Sequence, residues 1–123
     1  MTNVLLVFAG GGAGSVLRYL IGVLVRGGNV NLPLATFFSN IIACAIFAFV
    51  VYYDRSRQPM PYALSVLLLT GVCGGLSTFS TFGYETFLMF KSGMFWEAVL
   101  NILASTALSL AMFFIILRNT LTN

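Results

Sequence analysis

Four apolar tracts dominate the chain, at residues 4–25, 34–53, 62–90 and 95–117. Each equals or exceeds the roughly 20 residues that a helix needs to cross a hydrocarbon layer of about 30 Å. The segments between them are short, so neighbouring helices should run antiparallel and little chain is left to fold outside the membrane. Composition agrees: 59% of the 123 residues are hydrophobic and 7% are charged, more apolar surface than any soluble arrangement hides from water. The expected fold is an all-α membrane protein, a single four-helix transmembrane domain over residues 1–123. Whatever it does is done inside the lipid bilayer.

The boundaries carry the expected marks. Tyr52, Tyr53, Asp54, Arg55, Arg57, Pro59, Pro61 and Tyr62 form an aromatic-flanked polar turn; Lys91, Ser92, Gly93 and Trp96 form a second; Arg26, Gly27, Gly28, Asn29, Asn31 and Pro33 mark the third. Aromatic and basic residues gather where helices leave hydrocarbon. The first tract is full length and has no basic stretch or cleavage signal before it, so it is expected to be retained as a span. The expected location is a cell membrane, multi-pass, the bacterial inner membrane.

Several chemistries are poorly supported. The chain has no histidine, which argues against Ser-His catalysis and metal-assisted hydrolysis. Cys44 and Cys73 are isolated and form no CxxC pair, so they read as small packing residues. The glycine run at 10–14 is no nucleotide loop, because Ser15 and Leu17 stand where the last glycine would fall and no strand precedes it. Gly10 and Gly14 instead make a GxxxG step for close helix contact. No enzymatic activity and no nucleic-acid partner are expected.

Lysine and arginine normally decide which way a bundle inserts. Here Arg55, Arg57 and Arg118 fall on one side and Arg26, Lys91 and Arg18 on the other, so the charge rule gives no instruction. Such a chain can insert both ways, and two inverted copies can pair about an axis in the membrane plane.

The third tract is too long for a straight crossing: 29 residues as a helix rise about 43 Å. Gly74-Gly75 is the expected place for a break. A mid-span interruption frees carbonyls that lipid cannot satisfy. It can serve as a cation site made of partly negative helix-end carbonyls, or as a plain kink or tight crossing.

Beyond it, Phe79 and Phe82 share a helical face among Ser77, Thr78, Ser80 and Thr81. Their electropositive ring edges can stabilise a partly stripped anion. Asn40, one turn after Thr36, can donate from its amide, and Asn101, Ser105 and Ser109 make a polar stripe on the fourth tract. Arg18 lies within the first tract near its end, where a cation can snorkel to a vestibule. Glu85 is expected to be paired, hydrogen-bonded or protonated rather than pore-lining.

Three motifs together resemble one family: the GGxGAGSVLRY pattern, met in part from Gly11 to Tyr19, TFFSN at Thr36 to Asn40, and GVCGGLSTFSTF at Gly71 to Phe82. They are similar to the Fluc fluoride channel family, also called CrcB, in order and over the whole chain. The resemblance implies an antiparallel, dual-topology homodimer exporting fluoride passively through two pores, with a structural sodium ion between the subunits. It implies that the carbonyls of Gly74 and Ser77 hold the sodium, and that Asn40, Phe79, Phe82, Ser105 and Ser109, with Thr36 and Thr81 beside them, form the fluoride pore. Arg18 matches the family's vestibule arginine. Ala35 to Asn40 departs from the family's usual GTLxVN, and Ser77 from its usual threonine. The competing class is the small multidrug/proton antiporter, which needs a carboxylate in the first helix where this chain has Arg18.

Overall fold

The computed structural model describes residues 1–25, 33–56 and 59–118. The turn residues Arg26, Gly27, Gly28, Asn29, Asn31 and Arg57 lie outside the described residues. Among the described residues four helical segments are long and apolar enough to cross a membrane, as the apolar tracts require. The first is α1 (Thr2–Val25) and the second α2 (Leu34–Ser56). The third is composite: α3 (Tyr62–Ser65), a π-helical segment (Val66–Cys73), α4 (Gly74–Leu76) and α5 (Phe79–Lys91). The fourth is α6 (Phe95–Leu117). Among the described residues there is no strand.

Proline opens two of the helices, where its missing N–H costs nothing. The Pro33 carbonyl accepts from Phe37 N at 3.0 Å, and the Pro61 carbonyl from Leu64 N at 2.9 Å. The Asp54 carboxylate accepts from Met60 N at 2.7 Å and draws the middle turn together. Gly93, at φ +79°, takes the left-handed conformation that makes the tight reversal between α5 and α6.

Helix α1 packs on the π-helical segment and α4, while α2 packs mainly on α6. Contact between α1 and the third span is backbone to backbone. A methyl group placed on Gly10 would meet the Leu67 carbonyl and lie 2.9 Å from the Gly71 Cα; one on Gly14 would meet the Val72 carbonyl and lie 2.8 Å from Leu76 N. From the other side, a methyl on Gly71 would reach the Gly10 Cα at 2.8 Å, and one on Gly75 would strike the Gly11 carbonyl. The GxxxG step of α1 therefore meets a second one, Gly71 and Gly75, which lets two helices approach without side chains between them. Residues 10 and 14 meet partners of rising number, so the first and third spans run parallel, as alternating spans must.

This contact explains where the third span breaks. Gly74 keeps helical angles, φ −64° and ψ −37°. The chain turns extended two residues past the pair, at Ser77 (φ −81°, ψ 144°) and Thr78 (φ −149°, ψ 118°). Gly75 serves the crossing, and the polar Ser77-Thr78 step just after it serves the break.

Gly14→Val or Gly75→Val should drive the two backbones apart, at a cost of about 1–3 kcal/mol or more for an overfilled contact. Gly12→Ala should be neutral, because nothing lies within 4 Å of its added methyl. Thermal unfolding in detergent, followed by size-exclusion chromatography, separates the two outcomes.

Candidate ion pathway

The break creates a hydrogen-bonding problem that α2 solves. Asn40 Oδ1 accepts from Thr78 N at 2.9 Å and from the Ser77 hydroxyl, also at 2.9 Å. Thr78 then caps α5 with its own hydroxyl, which accepts from Thr81 N at 3.3 Å and lies 3.1 Å from the Thr81 hydroxyl. An N-cap threonine satisfies one of the helix's orphan donors in this way.

Carbonyls at the break lose their helical donors as a result. In an unbroken helix Gly74 O would accept from the N–H of residue 78, and Ser77 O from that of residue 81. Those N–H groups go to Asn40 and to the Thr78 hydroxyl instead. Gly74 O and Ser77 O are thus among the backbone oxygens freed at the break, chemistry that suits a hard cation. Both residues are exposed on the surface of the chain.

The same bonds fix the Asn40 amide. Thr78 N can only donate, so the oxygen of Asn40 must face it and the NH₂ group must face away. That NH₂ has no hydrogen-bond partner among the described residues. Asn40 lines a cleft of about 230 Å³ with Cys44, Ser77, Phe79, Phe82, Ser105, Thr106 and Ser109. Among the described residues no aspartate, glutamate, lysine or arginine lines it. Phe79 and Phe82 stand with ring centroids 6.1 Å apart and planes at 38°. Phe79 is 84% exposed, so its ring has little cover within the chain.

Behind the cleft a chain of hydrogen bonds joins α5 to α6. The Thr86 hydroxyl donates to the Phe82 carbonyl at 2.8 Å, and Asn101 Nδ2 donates to the Thr86 hydroxyl at 3.4 Å. The Ser105 hydroxyl donates to Asn101 Oδ1, also at 3.4 Å. Bonds of that length are weak, so Ser105 keeps freedom to turn its proton elsewhere.

Of the residues singled out from sequence, the fold gathers Asn40, Ser77, Phe79, Phe82, Ser105 and Ser109 around one cleft. Thr36 does not line it; it is buried on α2, one turn before Asn40. Thr81 stands behind it as partner of the Thr78 cap. Arg18 does not line it either: it lies half-buried on α1, one turn beyond Gly14, which contacts Leu76 beside the break. Glu85 stays out of the cleft, and its Oε2 is buried without a hydrogen-bond partner among the described residues. Thr106 and Cys44 were not anticipated. The hydroxyl next to Ser105 hinted at the first, while nothing local to α2 marks the second.

A four-span helical bundle with a broken third span and an uncharged polar cleft at the break is a multi-pass membrane protein with an intramembrane site. Residues 5–117 match the family described as CrcB-like protein, Camphor Resistance (CrcB), and the chain belongs to that family. It is 40% identical over 111 residues to the fluoride-specific ion channel FluC of Phocaeicola vulgatus, covering 89% of this chain and 91% of the relative. Against the protein of that name from Chlorobaculum tepidum it is 40% identical over 114 residues, 93% of this chain and 90% of the relative. Against that from Methanocaldococcus jannaschii it is 40% identical over 101 residues, 82% and 80%.

Asn40→Leu should destabilise the protein by about 1–3 kcal/mol, the cost of a buried donor left without its acceptor, read as a fall in melting temperature. Asn40→Asp keeps an acceptor for Thr78 N and should melt closer to wild type.

Proposed function

We propose that the protein is a fluoride-selective ion channel through which cytoplasmic fluoride leaves passively, down its electrochemical gradient. It works as an antiparallel, dual-topology homodimer with two pores and a structural sodium ion between the subunits, in the bacterial inner membrane. The cleft at the break carries this reading: it combines an oriented amide NH₂, two phenyl edges and several hydroxyls, with no carboxylate to repel an anion. The names of the relatives point the same way.

Fluoride is small and strongly hydrated, so a selective path must replace its water with donors while staying too narrow for chloride. Asn40 supplies N–H donors held in place by the cap bonds behind them. Phe79 and Phe82 supply ring edges, and Ser105 and Ser109 supply hydroxyls that turn to follow the ion. The N-terminal end of α5 adds partial positive charge. No donor here is charged, so fluoride is stabilised without being trapped. Arg18, beside the break, would raise the anion concentration in the vestibule, while Thr36 and Thr81 support the pore from behind.

Dimerisation follows from the same surface. A polar cleft facing acyl chains is costly, because lipid satisfies none of its groups. A second, inverted copy covers Phe79 and closes the path, and the even split of lysine and arginine permits both orientations. Paired copies would bring the freed carbonyls of Gly74 and Ser77 together, and these would hold sodium. A bound sodium ion would neutralise the helix ends and tie the subunits to each other. The multidrug antiporter reading lacks its essential feature, since α1 carries no carboxylate.

Proteoliposomes should release fluoride quickly, chloride very slowly and a cationic dye not at all. Fluoride retention or dye transport would overturn the assignment. Phe79→Ile and Phe82→Ile each remove aromatic contacts worth about 1 kcal/mol, so fluoride efflux should fall roughly fivefold. Asn40→Asp, with its NH₂ replaced by a carboxylate oxygen, should stop efflux although the fold survives.

A further inference from the structure

Beside the polar cleft lies a second one of about 220 Å³, between α2, the third span and α6, lined among others by Cys44, Cys73, Phe47, Leu69 and Phe113. Both cysteines are free thiols, Cys73 buried and Cys44 half-buried. The Cys73 thiol donates to the Ala43 carbonyl at 3.5 Å, which holds its sulfur against the backbone immediately preceding Cys44. Two cysteines from separate spans thus face one cavity whose walls are mostly apolar, with Ser77 at one side. Cys44 also lines the polar cleft, whereas Cys73 does not.

We propose that Cys44 and Cys73 together form a binding site for a thiophilic metal ion, with divalent mercury as its probe. Soft metals prefer sulfur to the oxygen donors elsewhere at the break. Binding replaces each S–H bond by a sulfur–metal bond, and the two protons leave to water. Mercury stays divalent, and nothing is oxidised. The product, one divalent ion with two thiolates, has no net charge, so an apolar cavity takes it without the penalty of a buried ion. The bond given up, a thiol donating at 3.5 Å, is weak. A hard cation would take the oxygens of Gly74 and Ser77, which also line the cavity, whereas a soft metal takes the two thiols.

The test uses the purified full-length chain, saturated with mercuric chloride, then challenged with excess glutathione and weighed intact. One mercury per chain should survive. It should be released on the order of 10²-fold more slowly than from Cys44→Ser or Cys73→Ser, because two linked thiols hold the metal together. Equal release from all three proteins overturns the site, as does retention of one mercury per two chains, which would place the metal between subunits. If the serine variants do not fold, the sulfur–mercury absorption of the wild type decides. Saturation at one metal per chain supports the pair, and saturation at two shows independent thiols and overturns it.

A consequence for flux rests on the pathway proposed above: metal at Cys44 narrows the polar cleft, so fluoride efflux should fall in step with occupancy. Retained metal with unchanged efflux would leave the site standing and remove Cys44 from the ion's path.

Discussion

Inside hydrocarbon every backbone N–H and C=O needs a partner, and a helix supplies one only while it remains unbroken. The third span breaks at Ser77 and Thr78, and the architecture around the break follows from how those groups are satisfied. Asn40 reaches across from α2 to take the Thr78 N–H, and Thr78 turns its hydroxyl on Thr81 N. With those donors diverted, the carbonyls of Gly74 and Ser77 are left open. One asparagine thereby ties two spans, ends one helix segment and orients an amide into a cleft. Local polarity in this bundle is a consequence of backbone accounting before it is a matter of any ion.

Holding the break in place requires a rigid neighbour, which α1 provides. Its glycines meet those of the third span so closely that a single methyl group collides with backbone. Such a seam gains dispersion contact and loses no side-chain entropy, which matters in a bilayer, where no hydrophobic drive separates helix from lipid. The π-helical turn at Val66–Cys73 lies along this seam, a wider winding of the kind that concentrates at functional sites.

The cleft is polar but carries no charged side chain, whereas the chain's acids lie elsewhere. Asp54 closes a turn, Glu97 sits in the first turn of α6, where a negative charge complements the helix dipole, and Glu85 keeps one oxygen buried away from the cleft. Neutral donors suit an ion that must both enter and leave. In the proposed channel they would place the burden of selectivity on geometry, and so on the bonds behind the cleft, from Phe82 through Thr86 and Asn101 to Ser105.

Much of this was legible in the residues themselves. Four spans follow from tract length against bilayer thickness, and an interrupted third span from its excess length, because both depend on local hydrophobicity alone. The family was legible in three motifs, and the matching of residues 5–117 bears that out. Placement of the break two residues beyond the glycine pair was not legible, since which glycine bends and which packs depends on the helix opposite. Nor was the turn of the Asn40 amide, fixed by a donor 38 positions away, or the meeting of Cys44 and Cys73 in one cavity. Sequence by itself determined the class, the spans and the inventory of polar groups; tertiary structure alone decided which of them face each other, because contacts between spans depend on rotation and depth that no local pattern encodes.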